Sequence, residues 1–407
     1  MVLCCFASLT PREYTLPPEL YAKALALART QYLEYFGIAA CTALVLYLVL
    51  RLRIGSRLRD VAESCSSRLP LQTAIFVPLL LVSLGLATLP WLIYGHHVSL
   101  ELGISVEHWA PWLWDWTKDQ LVSIVIGTPI AWLFCVIVRR SPRRFWLWFW
   151  LASLPLMIAG VYLAPLVLDP MFNLFEPLAR THPELVAPIE KILRNARVAI
   201  PEDHLFEMIA SEKTNALNAY TTGFGSSKRV VLYDTIIQKE PLPELMTTFG
   251  HELGHYALHH ILWGLVLGAA LLLIGMYVGY SFVEAVLRHY GERLSIRSAG
   301  DLAALPLFLL FAVAASFLTD PLTNAVSRVI EHQADAYALE VTLGVVAEPG
   351  NAAARAFQTE GETDLALPDP NPVIVWWMYT HPPVRDRLRF CLSWQESHGM
   401  QPVPREP

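Results

Sequence analysis

The stretch His251-Glu252-Leu253-Gly254-His255 places two histidines and a glutamate within five residues. Residues four apart lie on the same face of a helix, so His251 and His255 can present ring nitrogens to one metal ion. Glu252 would then lie beside the metal rather than on it, where it can accept a proton from water. The same pattern also arises by chance, so the rest of the chain has to decide its meaning.

Zinc is the metal that this pattern favours, because it lowers the pKa of its bound water to about 7 and so produces a hydroxide able to attack an amide carbonyl. A zinc hydrolase needs a third protein ligand and an open fourth position. The best candidate is Glu331, and Asp335 follows it by one helical turn on the same face. Asp335 could accept a hydrogen bond from His251 and fix its tautomer. The alternative is a surface helix with two solvated carboxylates.

The composition indicates a membrane protein. Hydrophobic residues make up 54% of the chain and charged residues 16%, with a mean hydropathy of +0.41, which is too apolar for a typical soluble enzyme. A soluble helix bundle is the alternative, but six long apolar segments argue against it. The predicted spans are 35–50, 71–94, 121–138, 145–168, 261–283 and 302–318. Tryptophans cluster near several span ends, as in interfacial belts: Trp91, Trp109, Trp112, Trp114, Trp116, Trp146 and Trp148.

Other classes of protein find little support. The net charge of −6 and the lack of basic clusters with interleaved aromatics argue against nucleic-acid binding. The six cysteines are scattered and show neither a disulfide framework nor a metal-ligand spacing. Residues 1–9 lack a basic n-region, so we do not predict a signal peptide. A transporter is disfavoured because the spans hold few polar residues and no inverted repeat.

Several separated motifs, in order, resemble one family. From about residue 71 onward the chain carries Asn218-Ala219-Tyr220 with residues 228–235, the HExxH stretch with His260, Ser327-Arg328 with Glu331, Ala334 and Asp335, and His381-Pro382-Pro383 with Arg387. This series resembles the integral-membrane zinc metalloproteases typified by the type-1 CaaX prenyl protease, here as a bacterial-type member. Four motifs in the right order are more specific than any one of them.

The resemblance implies one zinc ion per chain, with His251, His255 and Glu331 as ligands and Glu252 as catalytic base. It also implies membrane helices around a water-filled chamber that the protease domain caps. Two further site assignments follow from it: Asn218, Ala219 and Tyr220 would line the substrate cleft, and His381 would reach the active site.

Each of these assignments has a physical interpretation and an alternative. Residues 218–223 suggest a short edge strand that ends in a glycine turn, and such a strand can bind an extended peptide; it could also be purely structural. His381 could donate a hydrogen bond to an oxyanion or lie in a simple turn. We expect Arg328 and Arg387 to pair with internal carboxylates in a structural rather than a catalytic role, and His259 and His260 to be structural.

The predicted fold is a mostly α, polytopic membrane protein with about six transmembrane helices and a zincin-like α+β metalloprotease domain that contains a short β-sheet. The predicted helix is 183–197, and the predicted strands are 205–210, 217–221 and 229–232. We expect the HExxH helix to continue unbroken into the fifth span, residues 345–372 to form a mobile loop, and the tail from 402 to be disordered.

The predicted divisions are an N-terminal segment (1–34), a four-helix membrane block (35–168), the metalloprotease domain (169–260), a transmembrane hairpin (261–319), and the third-ligand helix with the C-terminal part of the protease domain (320–407).

Positive charge predicts the sidedness. Three loops that would lie on one side of the membrane carry Arg51, Arg53, Arg57, Arg59, Arg68, Arg139, Arg140, Arg143, Arg144, Arg288, Arg293 and Arg297. The opposite short loop, 95–120, has only Lys118. Positive-inside reasoning places the arginines in the cytoplasm, so the active site would face the other side of a bacterial inner membrane. Eukaryotic members of the family differ, since their active site faces the cytosol and they have an additional first span.

The leading functional hypothesis is a membrane-embedded zinc endopeptidase that cleaves polypeptides, including lipid-modified CaaX proteins. A bacterial host is expected to lack such native substrates, so the first alternative is quality control of membrane or exported proteins. A different class is a non-catalytic, zinc-stabilised membrane scaffold that binds polypeptides. The intact Glu252 and the open fourth metal position favour the enzyme.

Overall fold

The computed structural model describes residues 13–398. Our predictions for residues 1–9, for Cys4 and Cys5 and for the tail from 402 lie outside this range. The helices are α1 (Pro18–Arg51), α2 (Ile54–Cys65), α3 (Leu69–Leu102), α4 (Trp109–Arg140), α5 (Phe145–Leu163), α6 (Asp169–Phe172), α7 (Leu178–Thr181), α8 (Pro183–Ala196), α9 (Asp234–Lys239), α10 (Leu242–Ala257), α11 (His260–Leu294), α12 (Leu305–Val341), α13 (Pro349–Thr363), α14 (Pro372–Met378) and α15 (Val384–Ser397).

Six helical segments of the described chain are long and apolar enough to cross a membrane, and they contain the six predicted spans. In α11, no residue of the most apolar 18-residue window is buried, so this surface is suited to lipid. Helix α1 begins at Pro18 and therefore runs through much of the predicted N-terminal segment. Helix α12 has 37 residues and continues well past the predicted sixth span. The segments are Pro18–Arg51, Leu69–Leu102, Trp109–Arg140, Phe145–Phe172, His260–Leu294 and Leu302–Val341.

The three arginine-rich loops meet at one end of the helix bundle. Arg59 of α2 donates to the buried Asp301 at 2.6 Å, and Arg139 donates to the carbonyl of Gly300 at 2.8 Å. At the other end, the loop after α3 docks on the polar domain, since the amide of Val106 donates to the carbonyl of Lys213 at 3.0 Å. The polar domain and the arginine loops therefore lie at opposite ends of the membrane helices.

The polar domain contains a four-stranded sheet with the order β1-β2-β4-β3. Strand β2 pairs parallel with β4, whereas β1 and β3 are antiparallel to their neighbours. The three predicted strands are present with shifted ends, and β3 is an edge strand, as expected; β1 was missed because it is only three residues long and ends in proline. The strands are β1 (Phe175–Pro177), β2 (Leu205–Met208), β3 (Ala219–Thr222) and β4 (Arg229–Tyr233).

The prediction that the HExxH helix continues unbroken into the fifth span is wrong. Helix α10 ends at Ala257, and α11 begins at His260. Between them, His259 adopts a left-handed conformation with φ of 57°. The sequence gives no warning, because no glycine or proline marks the break. Helix α10 packs within the protease core while α11 faces lipid, so the chain has to change direction.

The prediction of a mobile loop at 345–372 is also wrong, because most of it forms α13. Its alanines are buried, and its glycines allow close contact with neighbouring elements. A Cβ atom on Gly350 would lie 2.7 Å from Cβ of Gln395 in α15, and one on Gly361 would lie 2.7 Å from the ring of Tyr14. The small residues that suggested a loop are therefore the ones that permit tight packing.

Candidate active site

Helices α10 and α12 approach backbone to backbone at the HExxH stretch. A Cβ atom on Gly254 would lie 3.0 Å from Cα of Ala334, and one on Gly250 would lie 3.2 Å from Cα of Ala338. Only small residues permit this approach. It brings Glu331, one turn before Ala334, next to the two histidines of α10.

The three predicted ligands converge. The Nε2 atoms of His251 and His255 lie 3.1 Å apart, and they lie 3.2 Å and 3.6 Å, respectively, from the nearer carboxylate oxygens of Glu331. A tetrahedral zinc ion with bonds of 2.0–2.1 Å separates its ligand atoms by about 3.3 Å. Oε2 of Glu331 is buried and accepts no hydrogen bond from the part of the chain that the structure describes. A cation would satisfy this oxygen, so the residues fit a zinc ion.

Asp335 and Arg387 hold the outer side of His251. Oδ1 of Asp335 lies 2.9 Å from Nδ1 of His251, and the Arg387 guanidinium donates to both oxygens of Asp335 at 2.6 Å and 3.0 Å. Burial opposes a charge on His251, but the carboxylates of Asp335 and Glu331 outweigh it and raise the pKa of His251 to about 10. The contacts at 2.9 Å and 3.2 Å orient the outer nitrogen of His251 toward Asp335 and its Nε2 toward Glu331.

The two arginines behave differently. Arg387 pairs with an internal carboxylate, as predicted. The same prediction for Arg328 is wrong: among the described residues it donates to the backbone carbonyls of Val375 and Tyr379, at 3.0 Å and 2.6 Å. Arg328 therefore ties α12 to α14.

Glu252 is 7% exposed and lines a cavity of about 210 Å³. Asn218, Ala219 and His381 line the same cavity. The hydroxyl of Thr221 donates to the backbone carbonyl of Glu252 at 2.9 Å, so β3 is fastened directly to α10. The cavity therefore joins the candidate base, His251 of the candidate metal site and the start of the edge strand.

Tyr220 and His381 have different surroundings. Tyr220 packs against Tyr233 with ring centroids 6.2 Å apart, on the face of the sheet away from the cavity. The sequence therefore grouped Tyr220 with its neighbours, but only Asn218 and Ala219 line the cavity. Nε2 of His381 lies 3.2 Å from Oε2 of Glu331, so this histidine does reach the cluster.

Sequence reasoning missed three residues of the site. Nδ1 of His260 lies 3.1 Å from Nδ1 of His255, although we expected this residue to be only structural. Glu360 of α13 and Asp364, which directly follows that helix, line the cavity, and burial raises the pKa of each carboxyl to about 7. The two carboxylates lie four residues apart in sequence, but the expectation of a loop hid the helix that brings both of them to the cavity.

Comparison with known proteins identifies the family. Residues 179–395 match the model of peptidase family M48. The chain belongs to this family. Residues 12–174 match the CAAX prenyl protease N-terminal family, which is described with five membrane helices. Within that range, the structure describes four of the candidate spans.

Relatives and a solved structure support this assignment. The chain is 34% identical to the metalloprotease YhfN of Bacillus subtilis, over 93% of this chain and 87% of the relative. It is 30% identical to CAAX prenyl protease 1 of Saccharomyces cerevisiae, over 78% of this chain and 71% of the relative. The crystal structure of S. mikatae Ste24p matches with a TM-score of 0.77 at 22% identity, covering 92% of this chain and 90% of that one, which shows a shared fold.

The predicted family and fold class are therefore confirmed. This M48 member is an integral, multi-pass membrane metalloendopeptidase that acts on polypeptides. Its fold joins membrane helices to a polar domain with a short mixed sheet.

Because α10 and α12 approach so closely at Gly254, a larger side chain at this position should disturb the site. We expect Gly254→Ala to reduce bound metal and activity together, because the new Cβ would lie 3.0 Å from Cα and 3.3 Å from Cβ of Ala334. Helix α12 would have to move, and Glu331 with it. Overpacking of this kind costs about 1–3 kcal/mol. Metal content and thermal unfolding of the purified protein measure both effects.

Gly264→Ala in α11 is the matched control, since the Cβ position at Gly264 has no atom of the described chain within 4 Å beyond its own helix. Equal metal content in both variants would show that the approach of the two helices does not position Glu331.

Proposed function

We propose that this protein is a zinc-dependent endopeptidase in which His251, His255 and Glu331 hold one zinc ion and Glu252 is the catalytic base. The observation that carries the proposal is the convergence of the two Nε2 atoms on the Glu331 carboxylate: His251 lies 3.2 Å from the buried Oε2, which accepts no hydrogen bond from the described chain, and His255 lies 3.6 Å from Oε1. Glu252 follows His251 directly and lines the cavity beside them.

When bound, zinc supplies a positive charge that makes water more acidic and polarises the scissile carbonyl. Glu252 accepts the proton of the attacking water and delivers it to the leaving amine. Asp335 keeps the proton of His251 on Nδ1, so that Nε2 presents its lone pair. His381 donates a hydrogen bond to the carbonyl oxygen as negative charge develops there. Its position 3.2 Å from Glu331 supports this role.

The substrate would bind in an extended form along β3. This strand lies at the sheet edge, and Asn218 and Ala219 at its start line the cavity. Backbone pairing with an edge strand gives affinity without strict sequence preference. Tyr220 would support the strand from the far face, which revises its expected role as a cleft residue.

The proposal extends to the substrate class, which we take to be a lipid-modified polypeptide. Relatives that are named CAAX prenyl protease 1 support a prenylated substrate. The test is cleavage of a farnesylated CaaX peptide and of an unmodified peptide in detergent, together with metal content, for the wild type and Glu252→Gln. One metal per chain with Glu252-dependent cleavage is the expected result.

The preferred peptide then distinguishes the possible roles. Preference for the farnesylated peptide supports prenyl-protein processing, and preference for the unmodified one supports quality control. Bound metal without cleavage of either peptide would favour the non-catalytic scaffold and contradict the proposed enzyme.

We further propose a bacterial inner membrane with the active site on the non-cytoplasmic face. Support comes from the arginine loops, which pack together at the end of the bundle opposite the polar domain. In a background without other cysteines, we expect Ser226→Cys, exposed in the polar domain, to react with an impermeant maleimide on intact spheroplasts. Cys65, which is exposed beside the arginine loops, should react only after permeabilisation. The reverse labelling pattern would place the active site in the cytoplasm.

A further inference from the structure

The two histidines of the HExxH stretch are held by different partners. Nδ1 of His251 faces Asp335 at 2.9 Å, whereas Nδ1 of His255 faces Nδ1 of His260 at 3.1 Å. Both Nε2 atoms point to the same place, 3.1 Å apart. Histidines that bind metal almost always use their other ring nitrogen for an outer hydrogen bond, which fixes the tautomer and ring orientation. His260 occupies that position for His255.

The direction of this hydrogen bond follows from the chemistry of the site. A histidine that binds a cation through Nε2 carries its proton on Nδ1, so His255 donates. Nδ1 of His260 then accepts, and its proton lies on Nε2. That Nε2 atom is buried, and the side chain of Gln333 in α12 also interacts with this imidazole. The contact with His255 is the hydrogen bond that the structure shows at Nδ1 of His260.

The break between α10 and α11 creates the contact. In an unbroken helix, residues five apart are separated by about 140° around the axis, so residue 260 would point away from His255. His259 instead adopts φ of 57°, and α11 begins at His260 in a new direction. The ring of His260 is 7% exposed as a result. A residue that served only to start a lipid-facing helix would not need a polar, buried ring.

We propose that His260 is a positioning residue that orients His255 through its Nδ1 atom and links the first residue of the fifth membrane span to the metal site. The inference rests on the proposed zinc site. It gives the helix break a functional consequence: the position of α11 determines the orientation of one metal ligand.

The test measures zinc affinity of the full-length protein in detergent by competition with a chromophoric chelator, and the visible absorption spectrum of the cobalt form. We expect His260→Leu, which lacks an acceptor, to weaken zinc binding by about 10–100-fold and to alter the cobalt spectrum. His260→Asn places an amide oxygen near the position of Nδ1, so it should restore most of the affinity. His259→Asn is the control, because asparagine tolerates a left-handed conformation and His259 is exposed.

Each outcome decides the inference. Zinc affinity and a cobalt spectrum equal to the wild type in folded His260→Leu would overturn it. If leucine prevents folding, His260→Gln replaces it, since its amide reaches the position of Nε2 rather than Nδ1; equal affinities of the glutamine and asparagine variants would then overturn the inference. Failure of the wild type itself to bind zinc would instead overturn the proposed function.

Discussion

Glu252→Gln is expected to retain one zinc ion per chain and to lose peptide hydrolysis by a factor of about 10²–10⁴, the usual contribution of a positioned general base. Glutamine has nearly the same shape but cannot accept a proton from water. Glu252 lines the cavity and is largely buried, so no bulk solvent base can easily replace it. Single-turnover cleavage of a peptide and metal analysis of the same sample give the two readouts.

A matched control for this change is Glu340→Gln, an exposed carboxylate on α12 away from the cavity. It should leave both metal content and hydrolysis unchanged. The assignment of Glu252 as base is wrong if its glutamine variant hydrolyses peptide at a rate similar to that of Glu340→Gln.

Glu331→Gln is expected to lose the metal and, as a consequence, hydrolysis. The carboxylate of Glu331 lies 3.2 Å from Nε2 of His251, and its Oε2 is buried without a hydrogen bond from the described chain. A neutral amide removes the negative charge that offsets the charge of the cation. We expect zinc affinity to fall by more than the roughly 10–100-fold that loss of an outer hydrogen-bond partner costs.

The contrast between these two variants is the decisive feature. Both should be inactive, but only Glu331→Gln should be free of metal, and excess zinc should restore part of its activity but none to Glu252→Gln. Equilibrium dialysis against zinc, with Glu340→Gln as control, measures the affinity. Full zinc binding by Glu331→Gln would assign the third ligand to another residue, and Glu252, whose carboxylate lies within 4.8 Å of the ligand atoms of His251 and His255, is one candidate.

Much of the fold was predictable because its signals are local. A membrane span requires a run of apolar residues, and all six runs became long helices. Helix α8 and strand β4 also lie close to their predicted positions. Helix α13 was missed because its proline and glycines were given more weight than its alanines, which favour a helix, and because the packing that stabilises the helix involves distant elements, α10 and α15.

In the candidate site, too, local spacing predicted some features and packing between distant elements decided others. Spacing alone placed His251 and His255 on one helix face, and Glu331 and Asp335 on another. The structure brings the two faces together through Gly250 and Gly254, which have no side chains to keep α12 away. Tyr220 was grouped with its neighbours in sequence, but alternation along β3 places its side chain on the face of the sheet opposite to that of Ala219.

The sequence by itself determined the membrane spans, the HExxH helix and the candidate metal ligands, because each depends on neighbours within a few residues along the chain. The tertiary structure alone decided that Arg387 pairs with Asp335 and that His260 reaches His255 across a helix break. These contacts join residues whose distance depends on how separate helices pack. A left-handed residue such as His259 is adopted because the surrounding contacts compensate for its local cost, and no local pattern records those contacts.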